Sequence, residues 1–304
     1  MYYFVYGFLY AISLLPLRVL FVLSDGIYAL LYYCIGYRKE VVMRNLDIAF
    51  PEKSRPEKIK IAKKFYRNFI DNFIETIKML SASNAYLEKH LTGNWDLLNN
   101  LYKKGKSCNV LLGHMFNWEL GNHVVSLKID YQFLVVYMPI SSKLINRLFL
   151  RLRRKGKTRL LSAHNMRSDM LPYRSQLYAL ALVADQNPAN PAKAYWLNLF
   201  SQPAPFVKGP EKSARASDLP VVFCHFEKPK RGYYRAVLTL ETEHPTSMPE
   251  GELTVRYVRY LEEVIRRDPA MWLWTHRRWK HGWQPQYAKS WIDNKPAILP
   301  GKVN

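Results

Sequence analysis

The sequence predicts an α/β protein in which a mostly parallel β-sheet is flanked by helices and follows an N-terminal membrane-associated helical segment. Two observations predict the sheet and its core. Short apolar runs alternate with segments of helical spacing along the body, and hydrophobic residues make up 49% of the 304 residues. A third observation predicts the N-terminal segment, because residues 1–37 are almost entirely apolar.

The N-terminal segment carries only two charges, Arg18 and Asp25. A helix needs about 20 apolar residues to cross a bilayer, and this stretch is long enough. Three arrangements stay open: a single span, a re-entrant hairpin turning near residues 24–26, or a helix lying in the interface. The alternative is a buried helix of a soluble protein. The sequence therefore predicts a membrane-attachment segment over residues 1–37 and one catalytic domain over residues 38–304.

The net charge of +21 indicates an anionic partner. Nucleic acid, an anionic membrane surface and an acidic carrier protein or substrate are the candidates. The apolar segment favours the membrane, and no nucleic-acid-binding module is recognisable, so we do not expect nucleic acid. Basic residues follow the segment at once, at Arg38, Lys39 and Arg44. This excess predicts that the body lies on the cytoplasmic side.

Along the body, helices are expected at residues 55–81, 96–104, 116–127, 141–154, 165–176, 211–217 and 249–267. Strands are expected at residues 108–114, 133–138, 180–185, 219–226 and 233–240. In parallel sheets, ligands bind beyond the carboxyl ends of the strands. His114 and Asp185 each close a predicted strand, so we expect both at this edge.

His114 and Glu119 form the strongest local signal for chemistry. Five positions separate them, and a turn from a strand end into a helix can bring the two side chains together. A carboxylate that orients a histidine fixes its tautomer and stabilises the imidazolium formed during proton transfer. No GxSxG motif is present, which favours direct attack of an acceptor hydroxyl over an acyl-enzyme. The simpler interpretation is a histidine bonded to backbone at a strand end.

A metal site and a cofactor are not expected. Glu119 and His123 lie four positions apart on a predicted helix, with His114 nearby, and could supply a zinc ligand set. However, no HExxH motif is present, and His123 can equally be a polar residue on the solvent side. The three cysteines are scattered and show no zinc or disulfide spacing.

Four ordered motifs resemble one family. GHMFNWEL, ALVADQNP, PFVKGPEKSAR and MWLWTHRRWK are similar to segments of the bacterial lipid A biosynthesis late (lauroyl/myristoyl) acyltransferases. The resemblance spans nearly the whole chain. It implies a fold like that of the glycerol-phosphate acyltransferases and an acyl transfer at the cytoplasmic face of the inner membrane. The donor would be an acyl carrier protein thioester or acyl-CoA, and the acceptor a phosphorylated glycolipid.

The resemblance also assigns residues. It implies that His114 and Glu119 are catalytic and that an essential arginine lies within RLRRKGK, at Arg153 or at its neighbours Arg151 and Arg154. Guanidinium groups bind phosphate bidentately, although a solvated basic face explains the run equally. Asp185 would contact substrate or hold an arginine, or simply form a turn. Gly209 suggests a tight turn beside which an acyl chain could pass, or an ordinary turn.

Three alternatives remain at this point. The acceptor could be a different lysolipid or an aminolipid, because the segment NPANPAK and the Pro-Glu-Lys after Gly209 depart from the family's usual forms. The protein could be a hydrolase that uses water. It could also be a non-catalytic tether that uses its charge on a membrane or nucleic acid.

Overall fold

A mostly parallel sheet forms the centre of the computed structural model, which describes residues 1–153 and 156–297. Its strands are β1 (Leu91–Gly93), β2 (Cys108–Leu112), β3 (Gln132–Tyr137), β4 (Arg159–Ser162), β5 (Tyr178–Val183), β8 (Val221–Lys230) and β9 (Tyr233–Thr242). They lie in the order β1-β9-β8-β2-β5-β3-β4, and only β8 and β9 pair antiparallel. The predicted α/β class and mainly parallel sheet are therefore confirmed.

Eleven α-helices are present in the described part of the chain. They are α1 (Tyr2–Leu14), α2 (Leu17–Ala29), α3 (Lys39–Ala49), α4 (Arg55–Lys78), α5 (Asn84–His90), α6 (Asp96–Lys103), α7 (Trp118–Lys128), α8 (Lys143–Arg153), α9 (Met166–Asp169), α10 (Gly209–Ala216) and α11 (Glu252–Arg267). Local chemistry explains the start of the longest one. Ser54 and Glu57 form a reciprocal capping box at the N-terminus of α4.

The core lies around the central strands. Every residue of β2 is buried, as expected for a parallel strand covered on both faces. This burial explains why the strand shows as a continuous apolar run rather than as an alternating pattern. Trp272 and Trp274, from the MWLWTHRRWK motif, also belong to the core and are 2% and 0% exposed.

Two regions differ from the prediction. A separate antiparallel hairpin of β6 (Tyr195–Leu199) and β7 (Gln202–Phe206) was not expected. Its second strand contains Pro203 and Pro205, which normally argue against a strand, but a two-stranded hairpin leaves an unpaired edge where proline is tolerated. The helix expected at residues 165–176 is only the short α9 and a 3₁₀ turn around Pro172, because proline cannot continue a helix.

The N-terminal segment forms two helices that break at Pro16. Helix α2 continues as a π-helical turn, Leu30–Ile35, and the combined Leu17–Ile35 is 19 residues long and apolar enough to cross a membrane by length and composition. Helix α1 is apolar but shorter. Of the three arrangements left open, the hairpin turning near residues 24–26 does not form, because these residues lie inside α2.

Candidate active site

His114 lies just beyond the carboxyl end of β2, as predicted. Its loop is held by the C-terminal part of the chain: Leu273 donates its backbone N–H to the carbonyl of His114 at 3.1 Å, and Phe116 donates to Met271 at 3.1 Å. Met115 and Trp272 thereby form an isolated antiparallel bridge. The histidine is thus fixed by a segment distant in sequence.

Asp185 follows β5, the strand beside β2, and binds His114 twice. The backbone N–H of His114 donates to Oδ2 at 2.8 Å, and the ring Nδ1 lies 2.6 Å from Oδ1. The indole N–H of Trp272 also donates to Oδ2 at 2.6 Å. Burial alone would raise the pKa of Asp185, but the charge of His114 and these hydrogen bonds lower it to about 2.

An ionised Asp185 determines the tautomer of His114. A carboxylate can only accept, so Nδ1 carries the hydrogen and the lone pair lies on Nε2. Gln186 Nε2 lies 3.2 Å from His114 Nε2, consistent with an amide that donates to this lone pair. His114 Nε2 is therefore a proton acceptor, and the buried Asp185 carboxylate binds the other ring nitrogen. This is the arrangement of a general base.

Gly113 permits this approach. A Cβ at this position would lie 2.8 Å from Leu261 Cδ1 and 3.2 Å from Asp185 Oδ2. A side chain here would require the Leu261 or Asp185 side chain to move. The Gly-His pair therefore has a packing reason in addition to a chemical one.

Glu119 does not orient His114 as expected. It lies in the first turn of α7, where Arg153 at the end of α8 donates from Nε at 3.0 Å and from Nη2 at 2.5 Å. The indole N–H of Trp118 also donates to it, at 3.2 Å. The expected His114–Glu119 contact is thus replaced by two pairs, His114–Asp185 and Arg153–Glu119, because Asp185 approaches from the neighbouring strand.

His114, Glu119 and Arg153 line one cavity of about 610 Å³, and Asp185 reaches it only through its hydrogen bonds to His114. Away from these polar groups its walls are mainly apolar and come from helices α6 and α7 and from five strands. Leu98, Val110, Phe133, Phe226 and Leu238 are among them. The cavity therefore combines a few charged and polar side chains with a mainly apolar lining, as expected of a site for a ligand with a polar end and a long apolar part.

The remaining predicted residues fall in different places. Gly209 lines the cavity, and a Cβ there would meet no atom within 4 Å. Arg151 packs its guanidinium against the ring of Tyr6 in α1, with 4.2 Å to the ring centroid. Arg154 lies outside the described residues. Of the two arginines that the structure describes, Arg153 lines the cavity and Arg151 does not.

Several functional candidates were missed. Gln186 and Trp272 contact the histidine–aspartate pair directly, although no chemical motif distinguishes them. His276, which attracted no role, accepts a hydrogen bond from the backbone of Asn187 at 3.3 Å. Burial and the neighbouring charge of Arg278 lower the pKa of His276 to about 4. The proximity of ALVADQNP and MWLWTHRRWK could be found only from the fold.

The residues considered as zinc ligands from the sequence can be located in the fold. No group of three or more candidate ligands lies together among the described residues. His123 is fully buried and lies within hydrogen-bond distance of Asn84, at 2.9 Å, rather than on the solvent side.

Residues 1–281 match the sequence profile of the bacterial lipid A biosynthesis acyltransferases. Two relatives are each 23% identical over 270 residues, covering 88% of this chain and 86% of theirs. They are the lipid A biosynthesis palmitoleoyltransferase of Escherichia coli strain K12 and the lipid A biosynthesis acyltransferase of Shigella flexneri. These names are consistent with the resemblance of the four motifs.

Proposed function

Because the chain belongs to the bacterial lipid A biosynthesis acyltransferase family and is therefore an acyltransferase, we propose that it moves a fatty acyl chain from a thioester to a hydroxyl of a lipid A precursor. The observation that carries this proposal is the His114–Asp185 pair, whose histidine lines a mainly apolar cavity. The proposed donor is acyl carrier protein or acyl-CoA. No cofactor enters the proposal.

The reaction is a direct transfer. His114 Nε2 takes the proton of the acceptor hydroxyl while the oxygen forms a bond to the thioester carbon. The tetrahedral intermediate collapses with cleavage of the C–S bond, and His114 returns the proton to the departing sulfur. Asp185 keeps the imidazole in the required tautomer and balances the imidazolium charge.

Glu119 and Arg153 line the same cavity as His114. We propose that Arg153, held in place by Glu119, stabilises the oxyanion of the intermediate or binds a phosphate of the acceptor. Glu119 would then fix the guanidinium rather than the imidazole. This assignment rests on the two hydrogen bonds that Arg153 donates to Glu119.

The apolar interior would hold the acyl chain. Each buried methylene contributes about 0.8 kcal/mol, so the chain provides binding energy that positions the thioester carbon beside His114. Gly209 in the wall leaves room for this chain. We further propose that the arrangement is like that of the glycerol-phosphate acyltransferases.

The proposed location is the inner membrane, with the catalytic domain of residues 38–304 on the cytoplasmic side. Residues 1–37 would attach it to the membrane. Their apolar surface and the net charge of +21 both suit an anionic bilayer.

The central test replaces the proposed base and its support. We expect His114→Ala and Asp185→Asn each to lower acyl transfer by at least about 100-fold, the usual size of a general-base contribution. The assay measures acyl transfer in membranes containing each full-length variant. His244→Gln, at a histidine paired with Asp218 outside the cavity, serves as the control and should retain activity.

Retained transfer in both variants would contradict the mechanism. Lipid mass spectrometry of cells with and without the protein would name the acceptor, by a mass difference of one acyl chain. Release of free fatty acid without acylated lipid would instead indicate a hydrolase.

A further inference from the structure

The outer face of the N-terminal helices concentrates the apolar surface of the molecule. In the described part of the chain, 15 of the 20 exposed large apolar side chains belong to residues 1–37. On α2 and its π-helical continuation they form one row, at Val19, Val22, Leu23, Ile27 and Leu30. A surface of this extent requires an apolar partner.

The opposite side of these helices is bound to the body at both ends. At the break between α1 and α2, Lys78 donates to the carbonyl of Ser13 at 2.9 Å, and Ser81 donates to the same carbonyl at 2.7 Å. Beyond the π-helical turn, the hydroxyl of Tyr66 donates to the carbonyl of Tyr37 at 2.5 Å.

The middle of α2 is bound by charge. Arg231, in the turn between β8 and β9, pairs with Asp25 at 2.8 Å and with the buried Asp71 at 2.7 Å. Lys228 also pairs with Asp71, and Ser24 donates to it at 2.7 Å. Burial would raise the pKa of Asp71, but the hydrogen bonds from Arg231 and the charge of Lys228 hold it below its usual value.

These contacts are incompatible with a helix that crosses the bilayer. Leu17–Ile35 is about 28 Å long, close to the roughly 30 Å of the hydrocarbon core, and Asp25 lies near its middle. A crossing helix would carry Asp25, Asp71 and Arg231, with the attached body, to the centre of the membrane. Charged groups avoid this region.

A row of cations lies along the same helices. Lys60, Lys63, Lys64 and Arg67 share one face of α4, and Lys63 and Arg67 lie over the rings of Tyr33 and Tyr28. A groove of about 750 Å³ continues from Lys64 and Arg67 to Lys230 in the β8–β9 hairpin. Cations beside exposed apolar side chains complement anionic headgroups above acyl chains. A second copy of the chain would instead bring a second row of cations to this face.

We propose that α1 and α2 lie in the plane of the membrane, as a docking platform for an anionic lipid surface, and do not cross it. The platform is defined as residues 1–37 together with the cations of α4. The proposal rests on the membrane attachment suggested above and adds its geometry. It places the N-terminus and the catalytic body on the same side of the bilayer.

Depth measurements test the geometry. Cys34 is exposed, whereas Cys108 and Cys224 are buried, so a nitroxide on Cys34 of the full-length protein reports one end of the helix. A second sample carries Val22→Cys in a Cys34→Ser background and reports the middle. In phosphatidylglycerol-containing vesicles, we expect the same shallow depth at both positions. A label at the bilayer centre for Val22→Cys, with a shallow one for Cys34, overturns the proposal.

The side of the N-terminus gives a second test. A protease-cleavable peptide is placed ahead of Met1 in one variant and after the last residue in another. In inverted membrane vesicles, we expect protease to remove both peptides. Removal of the N-terminal peptide only from the opposite face overturns the proposal, as does a disulfide-linked dimer through Val22→Cys in membranes. These readouts do not depend on acyl transfer, so an inactive enzyme still reports its geometry.

The charge of the platform is tested by reversal. Lys60→Glu with Lys64→Glu should weaken partition onto phosphatidylglycerol vesicles roughly tenfold or more and leave partition onto phosphatidylcholine unchanged. Lys103→Glu with Lys193→Glu changes the net charge equally at exposed positions outside the platform and should have less than half that effect on the logarithm of the partition coefficient. Equal losses in both pairs would show that only net charge matters and would overturn the role of the α4 cations.

Discussion

The carboxylate of Asp185 is buried, and three hydrogen-bond donors stabilise its ionised form. Its pKa is about 2 in the folded chain and about 3.9 in an unfolded one. Because folding favours the ionised form, its stabilisation is complete above about pH 4 and is lost as the pH falls toward 2.

We therefore expect the free energy of unfolding to fall less steeply in Asp185→Asn than in the parent chain between pH 4 and pH 2, by on the order of 2 kcal/mol. Chemical denaturation at a series of pH values measures this difference. Asp130→Asn, at an exposed aspartate, should retain the parent slope. Parallel slopes for the parent and Asp185→Asn would contradict the low pKa.

Gly113 makes a second prediction at the residue scale. We expect Gly113→Ala to destabilise the fold by about 1–3 kcal/mol and to lower acyl transfer, because the new Cβ displaces Leu261 or Asp185. Gly282→Ala, where a Cβ meets nothing within 4 Å, is the matched control. Thermal unfolding and the acyl-transfer assay check both variants. A parent-like melting temperature and activity in Gly113→Ala would show that Leu261 and Asp185 accommodate the new Cβ without cost.

The same residues show how far the sequence could predict the site. His114 and Asp185 were expected at one edge of the sheet, because both follow buried strands. The contact between the two side chains was not expected. It depends on strand order, because β2 and β5 are distant in sequence and become neighbours only in the folded sheet. The sequence instead favoured Glu119 as partner, since local spacing was the visible signal.

At the scale of elements, one face of the sheet and helices α6 and α7 enclose the cavity. Leu98 of α6 lines it, whereas Leu101 of the same helix is equally buried outside it. We expect Leu98→Phe to shift preference toward shorter acyl chains, because the larger ring shortens the available space. Leu101→Phe is the control for general overpacking. Competition between thioesters of different chain length measures the shift, and the same preference in both variants would contradict this boundary.

The hairpin of β8 and β9 carries the ion network that holds α2. We expect Lys228→Met to cost about 3 kcal/mol of stability, because it removes a partner from the buried Asp71. Lys230→Met, in the same hairpin and outside any ion pair given by the described residues, should cost less than about 0.5 kcal/mol. Denaturant unfolding of both variants tests the difference, and equal values would mean that Arg231 alone neutralises Asp71.

Element prediction succeeded where burial gives a simple pattern. The buried strands β2, β5 and β8 appeared as continuous apolar runs, and α4 and α11 as helical periodicity. The hairpin of β6 and β7 did not appear, because its prolines oppose a strand and only pairing with Trp196 and Asn198 compensates. Strand β4 is four residues long and partly exposed, which leaves little pattern to detect.

At the scale of the whole molecule, residues 1–37 form the predicted helical segment. The segment is not separate from the rest of the protein, because it packs against the body through hydrogen bonds and ion pairs. Apolarity and length predict affinity for lipid, whereas orientation depends on contacts with residues far along the chain. Asp25 was visible in the sequence as a charge within an apolar run. Its partner Arg231 could be identified only after β8 and β9 had been placed.

The dependence of the His114 loop on the segment around Trp272 has a consequence for biosynthesis. His114 leaves the ribosome before the segment that holds its loop, around Trp272, has been translated. The N-terminal helices of a nascent chain can therefore begin to fold while the His114 loop still lacks the segment that holds it. We expect translation products that end before this segment to be inactive.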